Sequence, residues 1–382
     1  MAPANILHMS VGHGDSSYDN NSLMQEIVIQ NTLPFLKHSI KGMANNNVFL
    51  DHCFMIADLG CSYGTNTLLV ASNIINTVTE VCKENNYKPP QFQVSLNDLF
   101  GNDFNNLFKL LPDFYAKLMK EKGENFGPCF VSAVPGSFYD RLFPDQSLHL
   151  VHSSYSIHWL SQVPEHIENN ALNIYVAKDS PPNVFQEYAK QFHTDFTNFL
   201  KLRSKEIVCG GCMVLTLLGR SIADSTSDDA CDLWEQLAQS LRDMLEEGSF
   251  SFDSSIVFQG NWDPQDTDYT NTKDLIELSH NHGRNTAKVV KAVIEPLLTS
   301  HFGNSIIDTL FKNHHQATLS MPPLKPSIAD HCRRDRAAVK PSIATLSIAV
   351  HCRRDERRRT SDDNGAVGSG GGAGTSTFWR LN

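Results

Sequence analysis

Over its first 220 positions the chain switches repeatedly between two hydrophobic spacings. Apolar runs at 54–59, 92–97, 129–134, 148–153 and 212–218 have the length of buried strands. Between them, apolar residues recur every three or four positions. The clearest case is Leu68, Ile74, Ile75, Val78 and Val81, which predict a helix over 65–83 with an inward stripe; further helices are expected over 103–120, briefly near 137–142, and over 184–207. The stretch 21–40 carries Leu23, Ile27, Leu33, Leu36 and Ile40 at helical spacing, with Pro34 expected to kink or restart the helix. Strands alternating with helices predict an α/β fold: a Rossmann-like, doubly wound, mainly parallel sheet. A helix over about 229–247, a β-like stretch at 249–258 and a helix containing Ile306, Ile307, Leu310 and Phe311 then form a reduced helical cap. Past about 320 come an imperfect repeat, Lys325-Pro326-Ser327-Ile328-Ala329 and Lys340-Pro341-Ser342-Ile343-Ala344, and a Gly/Ser/Thr-rich segment. The expected division is one domain over 1–320, its cap truncated around 220–300, and a low-complexity, disordered tail over 321–382.

Two acids stand at the ends of strands in this pattern. Asp58 precedes the turn Gly60-Cys61-Ser62-Tyr63-Gly64, and Asp98 precedes Leu99. In an open α/β sheet the ligand crevice lies beyond the carboxyl ends of the strands, so both acids are expected in one crevice. The dinucleotide fingerprint Gly-x-Gly-x-x-Gly is not matched, which disfavours a nicotinamide cofactor. An acid after the second strand suits a pair of ribose hydroxyls, and the Gly turn suits a nucleoside whose tail is an amino acid, as in S-adenosylmethionine. The plainer alternative is a strand meeting a capped helix.

With 32 Lys plus Arg against 42 Asp plus Glu, the net charge is −10, which argues against a nucleic-acid surface over the body of the protein. Nine cysteines lack paired spacing, and Cys53, Cys129 and Cys212 sit in apolar runs, so reduced, buried thiols are expected. No basic, apolar leader and no membrane-length run occurs, and a cytoplasmic, membrane-free enzyme is the expectation. The units His331-Cys332-Arg333-Arg334 and His351-Cys352-Arg353-Arg354 read only weakly as a nucleic-acid arm or a metal site.

Four further stretches carry a resemblance: Asp15-Ser16-Ser17-Tyr18-Asp19-Asn20-Asn21-Ser22 leading to Gln25, Val134-Pro135-Gly136-Ser137-Phe138-Tyr139, His152-Ser153-Ser154-Tyr155-Ser156-Ile157-His158-Trp159-Leu160-Ser161, and Gly210-Gly211-Cys212-Met213-Val214-Leu215-Thr216. With the Asp58 turn, these resemble in order and spacing the plant SABATH family of S-adenosylmethionine-dependent carboxyl and N-methyltransferases, over roughly residues 1–318. The resemblance implies a class I methyltransferase fold and methyl transfer to the carboxylate of a small acid of the salicylate, benzoate, jasmonate or indole-acetate type. It also implies a cofactor site formed by Tyr18, Asp58, Gly60, Cys61, Asn66, Asp98, Leu99, Ser137, Phe138 and Ser154, and an acceptor site formed by Gln25, Tyr155, His158 and Trp159. Physically, Gln25 and the Trp159 indole can each donate an N–H to one carboxylate oxygen, and Tyr155 and His158, three apart, would share a helix face. No general base is needed, because a carboxylic acid is already ionised at neutral pH. The same residues admit plainer readings in which Asp58 and Asn66 cap a helix, Phe138 is core and His158 is merely packed. Alternatives at the level of function are a xanthine-type N-methyltransferase and an impaired paralogue that binds cofactor only. A homodimer is compatible with the resemblance. Mg²⁺ would also be implied, with Asn170 as one ligand, but the other ligand positions fall in a segment this chain lacks around 245–249, so a complete site is not expected. The family's closing strand is also expected to be missing, leaving a sheet edge unpaired.

Overall fold

The computed structural model describes residues 7–12, 14–44, 48, 52–123, 128–170, 173–219, 224–226, 228–246, 275–319, 344–354 and 377–381. Five strands, β1 (Cys53–Leu59), β2 (Gln91–Asp98), β3 (Cys129–Pro135), β4 (Leu148–Ser154) and β5 (Ile207–Gly219), are mutually parallel in the order β3-β2-β1-β4-β5. The order reverses between β1 and β4, and a crevice opens at such a switch point. Asp58 faces His152 across it, in register.

The central strands are buried on both faces, as strands covered by helices on each side must be. On one face α2 (Thr65–Glu84) presents Leu68, Ile74, Ile75, Val78 and Val81 to Phe54, Ile56, Phe92, Val94 and Leu96, the stripe its periodicity predicts. On the other, α5 (Pro182–Glu206) contributes Phe199 to a core with Leu59, Leu148, Val151 and Met213. Three helices, α6 (Asp228–Glu246), α7 (Leu275–Phe302) and α8 (Ile307–Leu319), bury a separate cluster that includes Trp234, Leu237, Val293, Leu298, Leu310 and Phe311. Met9, Tyr18 and Trp159 pack against this cap.

Several expectations are corrected. Pro34 does not interrupt α1 (Leu23–Met43): Leu36, Ile40 and Met43 are buried against the core and hold the helix through the proline, while Gln30, whose carbonyl loses its donor, is exposed to water. The helix expected over 103–120 is two, α3 (Phe104–Lys109) and α4 (Leu111–Lys122), with Pro112 in the first turn of the second. Residues 137–142 form turns and no helix, because α5 side chains hold their carbonyls. The tail is not without regular structure: β6 (Ala344–Arg354) pairs antiparallel with β5, and β7 (Thr377–Leu381) with β6, so the far edge of β5 is paired. The alternation Thr345-Leu346-Ser347-Ile348-Ala349-Val350 has the two-residue period and β-branched content of a strand. The β-like stretch expected at 249–258, the first Arg-rich unit and the Gly/Ser/Thr-rich segment lie outside the described residues.

Candidate active site

The turn after β1 depends on two glycines. Gly60 has φ +70, and a Cβ there would sit 2.3 Å from Ser156 Cβ; Gly64 has φ +108, and a Cβ would lie 2.2 Å from Asp19 Oδ1. Both positions therefore need left-handed backbone and close approach at once. Asp19 occupies the space beside Gly64 and caps α2 from outside, its Oδ1 accepting from Thr65 N at 2.9 Å. The backbone N–H groups of Gly60 and Cys61 both donate to Asn97 O at 2.9 Å, pinning the first turn to the end of β2.

The crevice holds about 1110 Å³ of empty space, part of it open to solvent. Its walls bring together Tyr18, Asp58, Gly60, Cys61, Asn66, Asp98, Leu99, Ser137, Phe138 and Ser154 from the proposed cofactor set, and Gln25, Tyr155 and Trp159 from the acceptor set. His158 and Asn170 are not in the lining. Tyr155 begins a turn, not the helix expected, with φ +53 and its N–H donating to Thr216 O. Its ring still meets that of His158 at 6.2 Å, and His158 in turn lies 6.0 Å from the Trp159 ring. His158 is thus a backing residue; burial pushes its imidazole down to about 4, and its Nδ1 is buried without a partner among the described residues.

Electrostatically the crevice is acidic. Asp98 accepts from Ser62 N at 2.7 Å and Leu99 N at 2.8 Å, using one lone pair of each oxygen and leaving acceptor capacity for a ligand. Burial, against which these two bonds work, raises its carboxyl to about 6. Asp58 accepts from His152 Nδ1 at 2.7 Å, both side chains being buried. Asn66 donates its amide to Ser22 O and Ser22 Oγ, so it ties α2 to the start of α1 as well as lining the crevice. The thiol of Cys61 is raised well above its usual range by burial and by Asp98 and Asp58, and is therefore protonated and inert at neutral pH.

Gln25 is buried and its Oε1 has no hydrogen-bond partner among the described residues, and the half-buried Trp159 lines the same crevice. Side-chain amide nitrogen and oxygen are interchangeable in assignment, so Gln25 can turn a donor to the same place. A buried polar group left unpaired costs about 1–3 kcal/mol, and such a group on the crevice wall marks where a polar ligand belongs.

Asn170 does not suit a metal ion. Its Nδ2 donates to Tyr175 O and its Oδ1 accepts from Ser180 Oγ at 2.7 Å, so the side chain organises its own loop. Among the described residues no group of three or more His, Cys, Asp or Glu side chains converges on a point.

Sequence reasoning missed His8, Met9, His152, Tyr139 and Ser156, all in the lining. His152 was legible only through the β1–β4 register. The segment carrying His8 and Met9 is placed by long-range bonds that no local pattern shows: Ser10 N donates to Ala292 O on α7, and Tyr63 Oη donates to Ser10 O at 2.6 Å.

Residues 4–251 and 245–327 match the family described as SAM dependent carboxyl methyltransferase. The two matched stretches overlap at 245–251, where the sequence motifs place the missing segment. The chain is 44% identical over 335 residues to a Petunia hybrida S-adenosyl-L-methionine:benzoic acid/salicylic acid carboxyl methyltransferase, covering 83% of this chain and 93% of the relative. It is 39% identical over 350 residues to a probable jasmonic acid carboxyl methyltransferase of Theobroma cacao, covering 81% and 92%. Among solved structures, a loganic acid methyltransferase with SAH superposes with a TM-score of 0.71 at 28% identity, over 92% of this chain and 99% of that one.

Proposed function

Since the chain belongs to the SAM-dependent carboxyl methyltransferases, we propose that Gln25 and Trp159 clamp the carboxylate of a small aromatic acid of the benzoate and salicylate type beside the cofactor. S-adenosylmethionine supplies, when bound, a methyl group on a positively charged sulfur. The residues that would hold it are Asp98, with spare acceptor capacity for the ribose hydroxyls; Ser137 and Phe138, for the edge and face of the adenine; and Asp58 with Asn66, toward the amino-acid end. Two carboxylates in one crevice favour a cationic ligand over the neutral thioether product.

The acceptor arrives ionised, so the protein need not remove a proton. What it must do is align two ligands and exclude water. Gln25 on α1 and Trp159 on the turn after β4 each carry an N–H donor on the crevice wall, and two donors fix a carboxylate at two points. The neutral imidazole of His158 behind Tyr155 and Trp159 brings no competing proton or charge. The observation that carries this reading is the buried, unpartnered Gln25 side chain on the crevice that Trp159 also lines. The 44% identity to a benzoic acid/salicylic acid enzyme supports an aromatic acid as acceptor.

The test is to compare Gln25→Ala and Trp159→Phe with the unaltered chain. A hydrogen bond to a charged group contributes about 1.5–3 kcal/mol, so each variant should raise KM for the acid by roughly tenfold or more. The Kd for S-adenosylhomocysteine should stay within about twofold. Unchanged KM in both variants would remove the clamp from the account.

A further inference from the structure

Tyr139 stands next to Phe138 on the connection between β3 and β4, yet its side chain serves the other half of the crevice. Its hydroxyl lies 2.8 Å from Trp159 O and 3.2 Å from Ile157 O. The ring is buried and packs edge-on against Phe138 at 4.8 Å. Behind it the backbone is fixed: Phe138 O and Asp140 O accept from Arg203 at 2.7 and 2.8 Å, and Tyr139 O accepts from Asn198 Nδ2 at 2.9 Å. Three successive carbonyls are thus anchored to α5, which makes this loop a rigid base.

The turn that carries Trp159 is held differently at its ends and its middle. Ser156 Oγ donates to Gly60 O at 2.8 Å, and Ser161 is held by Asp195 through its N–H and its hydroxyl. Between these fixed ends, the carbonyls of Ile157 and Trp159 have the Tyr139 hydroxyl as their side-chain partner. One hydroxyl proton shared between two carbonyls sets the height of the turn at Trp159, which lines the crevice.

We infer that Tyr139 is a positioning residue for the acceptor: contributed by the cofactor-side loop, it acts through the Trp159 backbone to aim the indole N–H. This rests on the reading above in which Trp159 donates to the acid's carboxylate. The consequence is that one aromatic pair serves both ligands, Phe138 on the nucleoside side and Tyr139 on the acid side, so the distance between the two halves is set within two consecutive residues.

The experiment is a double-mutant cycle on the full chain with Tyr139→Phe, Trp159→Phe and the pair, using benzoate and salicylate as acceptors. Loss of one neutral hydrogen bond that leaves buried carbonyls unpaired should lower kcat/KM for the acid by about tenfold in Tyr139→Phe. Its KM for S-adenosylmethionine and Kd for S-adenosylhomocysteine should stay within about twofold, a split that general loosening of the loop would not give. Because Tyr139 acts through Trp159, the pair should be no worse than Trp159→Phe alone. Additive losses in the pair, or a matching loss of cofactor affinity in Tyr139→Phe, would overturn the inference. An unaltered chain that methylates neither acid would instead overturn the acceptor reading and this role with it; that failure is distinguished because it appears before any substitution.

Discussion

Asp98→Asn separates the cost of a functional carboxylate from its use. In the folded protein the Asp98 carboxyl is raised by burial from 3.8 to about 6. In the unfolded chain it returns to the ordinary range, so folding favours the protonated form. The sign follows: the group's contribution to stability is complete below about pH 4 and is lost as pH rises through about 6. At about 1.4 kcal/mol per pH unit, a rise of about two units corresponds to ~3 kcal/mol, reduced to about 1–3 because Asp98 faces an open crevice where solvent screens it. Asparagine removes that cost. It also removes one of the charge-assisted bonds from Ser62 N and Leu99 N, because an amide offers one oxygen where the carboxylate offers two; this loss is about 1.5–3 kcal/mol. The two changes nearly offset, and at pH 8 the variant should melt close to the unaltered chain. Cofactor affinity should not survive. Losing even one hydroxyl donated to a carboxylate costs about 1.5–3 kcal/mol, or roughly 10- to 150-fold in Kd. Titration calorimetry with S-adenosylhomocysteine measures Kd, and repeating it near pH 6 in buffers of different ionisation enthalpy measures proton release, because ligand hydroxyls favour the ionised carboxylate. The unaltered chain should release a fraction of a proton on binding and the variant none. Wild-type affinity in Asp98→Asn, or destabilisation by several kcal/mol with no specific loss of binding, would remove Asp98 from the cofactor site.

Gly60→Ala should cost ~1–2 kcal/mol for its left-handed backbone, with a further ~1–3 for the clash with Ser156, and should abolish turnover by displacing the acceptor turn; melting and methyl-transfer assays check both. Arg203→Met removes the partner 2.7 Å from the fully buried Glu206, which keeps the longer contact with Arg141 and the N–H groups of Leu142 and Phe143; the expected loss is up to about 3–5 kcal/mol, read by denaturant unfolding, with weakened cofactor binding because the Ser137–Phe138 loop loses two anchors. Removing residues 321–382 strips β6 from β5 over eight paired positions from Cys212 to Gly219 and exposes that edge, so the shortened chain should melt several degrees lower and aggregate by light scattering; unchanged melting would show that the added strands contribute nothing.

The parts of the fold written as contiguous patterns were legible in the sequence. The central parallel strands are buried apolar runs, edge strand β3 is an apolar run only half-buried, and α2 shows its inward stripe plainly, so the crevice was legible from Asp58 and Asp98 at the strand ends. What escaped was set by partners far away in the chain. The Asp58–His152 pair needs the β1–β4 register. The non-helical course of 137–142 depends on Asn198 and Arg203, some sixty positions later, outcompeting the local helix signal. The strand β6 did have a local signal, a clean two-residue alternation, but it lies inside a repeated, Arg-rich tail whose composition points the other way. At the site, motif resemblance placed Tyr155 and Trp159 on the crevice, while His158, equally embedded in the motif, backs them from one layer behind.

A carboxyl methyltransferase joins a sulfonium-bound methyl group to a carboxylate in this crevice. The most direct measurement is to incubate the full chain with S-adenosylmethionine carrying a ¹³C methyl group and, separately, benzoate, salicylate, jasmonate, indole-acetate and a xanthine, and to follow the label by NMR. A methyl-ester signal is expected with an aromatic acid, and no N-methyl signal with the xanthine. Label that appears on nitrogen, or that stays on the cofactor with every acid although the cofactor binds, would contradict carboxyl methylation in this crevice.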